Sequence, residues 1–242
     1  MHDPKVSIIN FTGQGTPDPE WFAARLLVFT KNTRLTMNPA GFGAFMNAEK
    51  EDIEKELEYM SNTIPSSWEF VDVVFSIQHV TRACAQQITR TRNASYAMQS
   101  QRVTNMADVS WHVPDSVKNA AQYDQQMRDA VFSYKVAVDS GESLEDARGL
   151  LPLNVHCNLI AKYNLRSLVE LLRARDSMRV QGEYQMIAHQ MRELVMEIWP
   201  WSAPFFKPKD EKAIALIEEV AHELTNKEQR MQLAKAADML KK

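Results

Sequence analysis

Val71–Arg90 reads VDVVFSIQHVTRACAQQITR. Val71, Val73, Phe75 and Ile77 alternate with Asp72, Val74, Ser76 and Gln78. That period of two marks a strand with one mostly apolar face. Thr81 is a good N-cap residue, and the spacing beyond it predicts a short helix running toward Thr89. The arginine-rich residues from Arg90 onward then fall where the helix ends. They are expected to form a loop or extended stretch, the kind of segment on which ligand-binding groups concentrate.

Working outward, Val6–Phe11 is a short apolar run closed by Gly13, Gly15, Pro17 and Pro19, which reads as a first strand and a turn. Leu153, Val155, Cys157, Leu159, Ala161 and Tyr163 alternate with mainly polar residues, a further clear strand. The rest has helical spacing. Helices are predicted over Pro19–Thr30, after the Asn38-Pro39 break, over Glu49–Met60, Asp115–Val138 and Ser143–Leu150, and as one or two elements over Leu165–Ile198. Trp199-Pro200-Trp201, Pro204 and Pro208 form a breaker-rich patch, and residues 209–242 read as a charged helical tail. Few strands and long helices predict an α+β fold in one domain. A helix-rich chain with little sheet often completes its core by oligomerisation.

The chain has 242 residues, 45% hydrophobic, with a formal net charge of -3. That length supports a sizeable core. The charge balance argues against a nucleic-acid backbone as partner, but local arginines can still hold a small anion. Cys84 and Cys157 make neither a metal-type pair nor a disulfide framework, which fits a reducing compartment. No signal-type leader is read at the N-terminus, and no run reaches the ~18 apolar residues of a membrane span. The expectation is a soluble cytoplasmic protein without a membrane partner. The six histidines do not cluster, so no metal site is expected.

Arg90, Arg92 and Arg102 lie within thirteen residues together with Ser95 and Ser100. Arginine presents paired planar donors that match phosphate and carboxylate oxygens. From the residues alone, a nucleotide phosphate site and a solvated, salt-bridged loop both remain open.

The order of the residues adds a family. Arg90-Thr91-Arg92, then Ser100 and Arg102, resembles the signature of the flavin-dependent thymidylate synthases, Arg-His-Arg followed by seven residues and Ser. Gln87 and the approach Arg82-Ala83-Cys84 match it too. Shorter matches follow in family order: Thr33–Met37, Ala147-Arg148 before Leu151-Pro152, Asn164-Leu165-Arg166, Arg175, and Gln181 with Glu183. The resemblance covers roughly residues 5–206. It implies a catalytic domain over 1–206, with 207–242 as its C-terminal helical extension. It also implies a homotetramer whose active sites are shared between subunits. Such enzymes bind FAD, dUMP or a related pyrimidine deoxynucleotide, and methylenetetrahydrofolate as carbon donor, with NADPH as reductant.

Residue roles carry over only as implications of that resemblance. Gln87, Arg90, Ser100, Arg102, Arg148 and Arg175 would bind the nucleotide, Arg148 from a neighbouring subunit. Arg175 and Ser100 are the catalytic candidates. A cation at Arg175 near the uracil ring would stabilise negative charge developing on the base. Ser66, Glu69, Arg90, Thr91, Arg92, Asn164, Arg166 and Glu170 would border the flavin.

Several positions depart from the family pattern. Thr91 stands in place of histidine, Met98 in place of Glu or Gln, and Val103 in place of Tyr. Ile64 and Phe70 replace two histidines, and Glu170 replaces an Asn or His. Threonine cannot carry charge or act as a general base as histidine does, and methionine is only a weak acceptor. Three functions follow. One is reductive methylation of dUMP. The second is a 5-hydroxymethylase on dUMP or dCMP, chemistry suited to a virus that modifies its DNA. The third is a non-catalytic nucleotide- or flavin-binding relative.

Other residues have plainer readings. Arg148 sits where a cation favours a helix C-terminus. Arg173 is expected on a solvated face, Cys157 in the packing of its strand, and Met178, Met186, Met191 and Met196 in the core or a subunit interface.

Overall fold

The computed structural model describes residues 3–32, 41–175, 182–207, 217, 219–221 and 227–240. The Thr33–Met37 match, Asn38-Pro39, Met178 and Gln181 lie outside the described residues. The chain forms two compact units. One comprises Met1–Ile9, Val74–Lys162 and Gln181–Ile187, the other Asn10–Val73, Tyr163–Val180 and Ala188–Lys242.

A four-stranded sheet has the order β1-β2-β4-β3, with β1 at Lys5–Phe11, β2 at Asp72–Thr81, β3 at Ala94–Met98 and β4 at His156–Asn164. Its register follows from backbone bonds at the strand ends. Thr12 N donates to Asp72 O and Leu165 N to Val71 O, each pairing the end of one strand with the start of another. Arg82 N donates to Val155 O, and Gln99 N to Asn158 O. The sheet is therefore antiparallel throughout. Val73, Phe75 and Ile77 of β2 are fully buried, as their alternation requires. His79, within β2, has a left-handed φ of 55°, a conformation uncommon for a non-glycine residue. Its N–H donates to Asn158 Oδ1 at 3.1 Å.

In the first unit, α4 (Arg82–Ile88) follows β2 directly. α5 (Ala120–Asp139) starts five residues later than the sequence predicts. The side chain of Asn119 accepts from Gln122 N and fixes the start there. The predicted Ser143–Leu150 helix is α6 (Leu144–Ala147) followed by a 3-10 turn, Arg148–Leu150. β4 begins at His156 rather than Leu153, because a turn closed by Val155 N and Pro152 O precedes it. Two small cores pack here. One is Met106, Tyr134 and Ala147, with Met106 N donating to the Tyr134 hydroxyl at 3.0 Å. The other is Met127, Val131 and Val155.

In the second unit, α1 (Pro19–Asn32) begins at the predicted proline. Gly13 is obligatory before it: φ is 99°, and a Cβ there would meet Pro19 O at 2.3 Å. α2 (Gly41–Phe45) and α3 (Lys50–Thr63) follow, and α3 buries Ile53, Leu57 and Met60. A 3-10 turn, Pro65–Phe70, was not foreseen from the sequence pattern. Its Trp68 is buried edge-to-face on Phe205, ring centroids 4.9 Å apart, and donates its indole N–H to Met60 O. The predicted run from Leu165 is α7 (Leu165–Arg175), in this unit, and α8 (Gly182–Ile198), whose residues up to Ile187 belong to the first unit. The breaker patch folds into a 3-10 turn, Pro200–Ser202, and α9 (Ala203–Phe206). Of the tail, α10 (Lys227–Leu240) is helical as expected.

Candidate functional site

The Arg90 segment is built on the end of α4. Thr81 caps that helix, its hydroxyl accepting from Cys84 N at 3.0 Å. The same hydroxyl donates to Glu183 Oε2 at 2.6 Å, and Thr81 N donates to Glu183 Oε1 at 2.7 Å. Glu183 is buried, so its carboxylate is spent on this anchor. Beyond α4, Arg90 N donates to Gln87 O and Thr91 N to Ile88 O, closing a tight turn. The Tyr96 hydroxyl lies 3.0 Å from both Ile88 O and Thr91 O. Tyr96 belongs to β3, the extended part of the arginine-rich stretch. The turn is thus held from two sides by its own backbone and by a phenol.

This scaffold leaves Arg90 and Arg92 exposed. Among the described residues neither makes an ion pair. Thr91 and Gln87 are half-buried beside them. Ser100 is exposed and accepts from Arg102 N at 3.3 Å. The Arg102 guanidinium instead reaches Glu145 of α6, Nε to Oε1 2.8 Å. Arg148 Nε donates to the Glu145 carbonyl at 3.1 Å. Two predicted nucleotide ligands therefore meet at one residue, Glu145, which the sequence pattern did not single out. The cap geometry explains it: Ser143 caps α6 by accepting from Asp146 N, and the first turn carries Glu145.

A cavity of about 450 Å³ lies in this unit, lined among others by His79, Gln99, Asp108, Ser110, His156 and Cys157. It adjoins the Arg90–Arg102 segment at Gln99 but is lined by none of its arginines. Ser110 Oγ and His156 Nδ1 are 2.8 Å apart. Burial pushes the Cys157 thiol up, with the Arg82 charge opposing, so this cysteine is a packed, neutral thiol as expected.

The other predicted ligands belong to the second unit. Ser66 and Glu69 are exposed on the Pro65–Phe70 turn, and Phe70 is exposed at its end. Asn164 caps α7, its Oδ1 accepting from Ser167 N at 2.8 Å. Arg166 is shared by two carboxylates, Nη1 to Glu69 Oε1 at 2.8 Å and Nε to Glu170 Oε1 at 3.1 Å. The hydrogen bonds Arg166 donates to Glu170 and Glu69 raise its pKa above its already high value. Arg175 is the half-buried last residue of α7.

Arg173 corrects an expectation. It is no solvated-face residue: Nη2 donates to Phe205 O at 2.9 Å and Lys207 O at 2.8 Å. Burial lowers its pKa. Its role is to tie α7 to α9 and to the residue that follows it. Met191 is buried, whereas Met186 and Met196 are exposed. Among the described residues, no group of three or more His, Cys, Asp or Glu could hold a metal ion. No described helix is long and apolar enough to cross a membrane.

Comparison with known proteins matches residues 20–201 to the family described as thymidylate synthase complementing protein. The flavin-dependent thymidylate synthase of Geobacter sulfurreducens is 31% identical over 199 residues, 77% of this chain and 82% of that protein. That of Thermococcus onnurineus is 30% identical over 196 residues, 77% of this chain and 76% of its own length. The Pyrococcus furiosus protein of the same description is 30% identical over 159 residues, 62% and 65% of the two chains. A family match over three quarters of the chain, with a relative 31% identical over 77% of it, places this chain in the flavin-dependent thymidylate synthase family.

Proposed function

We propose that the chain transfers one carbon from methylenetetrahydrofolate to C5 of dUMP with FAD as cofactor, as in thymidylate synthesis. One observation carries this reading beyond family membership. Arg90 and Arg92 stand exposed on a turn fixed by Gln87, Ile88 and Tyr96, with no ion pair among the described residues. Preorganised guanidinium groups without a protein counter-charge are suited to phosphate.

The chemistry of these side chains fits both ligands. Arg90, with Gln87, Ser100, Arg102 and Arg148, is assigned to the dUMP phosphate and sugar. Glu145 orients the last two arginines. Arg175 is assigned to the uracil ring, where a fixed cation favours charge developing on the base. Ser100 is the remaining catalytic candidate. Arg92, Thr91, Asn164 and Arg166 are assigned to FAD, bordered by Ser66, Glu69 and Glu170. Asn164 has its amide N–H₂ as donor, since its oxygen caps α7. When bound, FAD supplies the redox chemistry that completes the methyl group, with NADPH as the reductant.

A homotetramer with active sites shared between subunits accounts for the exposure of these arginines within one chain. Residues 1–206 are assigned to the catalytic domain and 207–242 to its helical extension. The protein works in the cytoplasm without a nucleic-acid partner. The test is a visible spectrum of the purified protein after incubation with FAD and removal of free flavin. A retained flavin band, perturbed by dUMP, is expected. A colourless protein overturns the reading.

A further inference from the structure

Arg166 is the most heavily paired of the proposed flavin ligands. Glu69 takes its Nη1 edge and Glu170 its Nε edge, so one guanidinium faces two carboxylates. The group of three carries a net charge of about -1. Glu69 alone would neutralise Arg166; Glu170, one helical turn along α7, turns the cluster negative. The i,i+4 spacing makes this contact local to the helix, independent of any tertiary rearrangement. All three side chains are substantially exposed, at 40%, 48% and 59%. Solvent can therefore take over either carboxylate, and an incoming anion can displace one of them at small cost.

FAD is an anion through its diphosphate. For Arg166 to serve it, the guanidinium must turn a free edge toward the ligand, and the surplus carboxylate opposes that. We propose that Glu170 is a positioning residue that weakens FAD binding by holding Arg166, so that flavin occupancy is tuned below what Arg166 alone would give. This rests on the flavin reading above and adds a residue that sets its strength. The consequence is a cofactor that exchanges more readily and whose binding depends on salt.

The experiment is a titration of the full-length protein with FAD, followed by flavin fluorescence, on the wild type, Glu170→Gln, Arg166→Ala and the double variant. Glutamine keeps the shape and removes the charge. Glu170→Gln is expected to tighten FAD binding about two- to five-fold at low salt, the range an exposed pair supports. The difference should shrink as salt screens the charges. In the Arg166→Ala background the same substitution should give no tightening. Unchanged thermal unfolding of Glu170→Gln checks that the fold is intact.

Unaltered affinity in Glu170→Gln overturns the proposal while leaving the flavin reading intact. Equal tightening with and without Arg166 also overturns it, since Glu170 would then act by plain repulsion. No FAD uptake by any variant removes the flavin reading itself, and this inference with it.

Discussion

Thr81 and Glu183 stand 102 positions apart in sequence and share two hydrogen bonds of 2.7 and 2.6 Å inside the first unit. The carboxylate accepts from the backbone N–H and the hydroxyl of the residue that caps α4. Glu183→Ala leaves a buried donor without a partner, which costs about 1–3 kcal/mol. Urea unfolding should show that loss, with Glu183→Gln intermediate. Combined with Thr81→Val, the penalties should be less than additive, because both remove one network. Strict additivity would show that the pair is not coupled.

Tyr96 holds the arginine turn through its hydroxyl. Tyr96→Phe removes that hydrogen bond at a cost of about 0.5–1.5 kcal/mol. The larger expected effect is on dUMP affinity, because the turn that presents Arg90 loses its brace. Calorimetric titration with dUMP checks this. Wild-type affinity in a folded Tyr96→Phe protein would show that the turn is held by its backbone alone.

Arg90→Ala is expected to weaken dUMP binding about ten- to hundredfold. A charge-assisted bond to phosphate contributes about 1.5–3 kcal/mol, and its loss cannot be made up by water inside the site. Arg173→Ala should behave oppositely, lowering stability through its lost bonds to Phe205 O and Lys207 O while sparing dUMP affinity. Equal binding losses in both variants would dissolve the distinction drawn between them.

Asp124 accepts from the Trp111 indole N–H at 2.8 Å and from Arg128 at 2.6 Å. These bonds, Trp111's first, hold its carboxyl below the usual carboxylate range. Folding thus favours the ionised form. The stabilisation is present above the unfolded carboxyl value of about 4 and is lost as pH falls through the lower folded value. Asp124→Asn should flatten the acid side of the stability–pH profile. An unchanged acid limb would show that the exposed pair contributes nothing.

Much of the fold was legible because its signals are local. The alternation in β2, the Thr81 cap and the α1 start at Pro19 all sit in adjacent residues. Ala94–Met98 could be read only as loop or extended, because a five-residue strand with no fully buried residue carries a weak apolar signal. The late start of α5 turned on one asparagine cap. Site residues were legible by their order, but their contacts were not. Glu145 reaches Arg102 from a separate element, whereas its carbonyl contact with Arg148 is local to the end of α6. Arg173 finds carbonyls 32 and 34 positions away, and Arg166 meets Glu69 across 97. Such pairings depend on tertiary approach, which no spacing in the sequence encodes.

The central claim is one-carbon transfer to dUMP, and the mass of the nucleotide product tests it most directly. The FAD-loaded protein is incubated with dUMP, methylenetetrahydrofolate and NADPH, and the nucleotide is recovered. The expected product is dUMP carrying a methyl group at C5. A hydroxymethyl product would contradict the methylation reading in favour of the 5-hydroxymethylase, and unchanged dUMP would contradict the assignment of this site to one-carbon transfer.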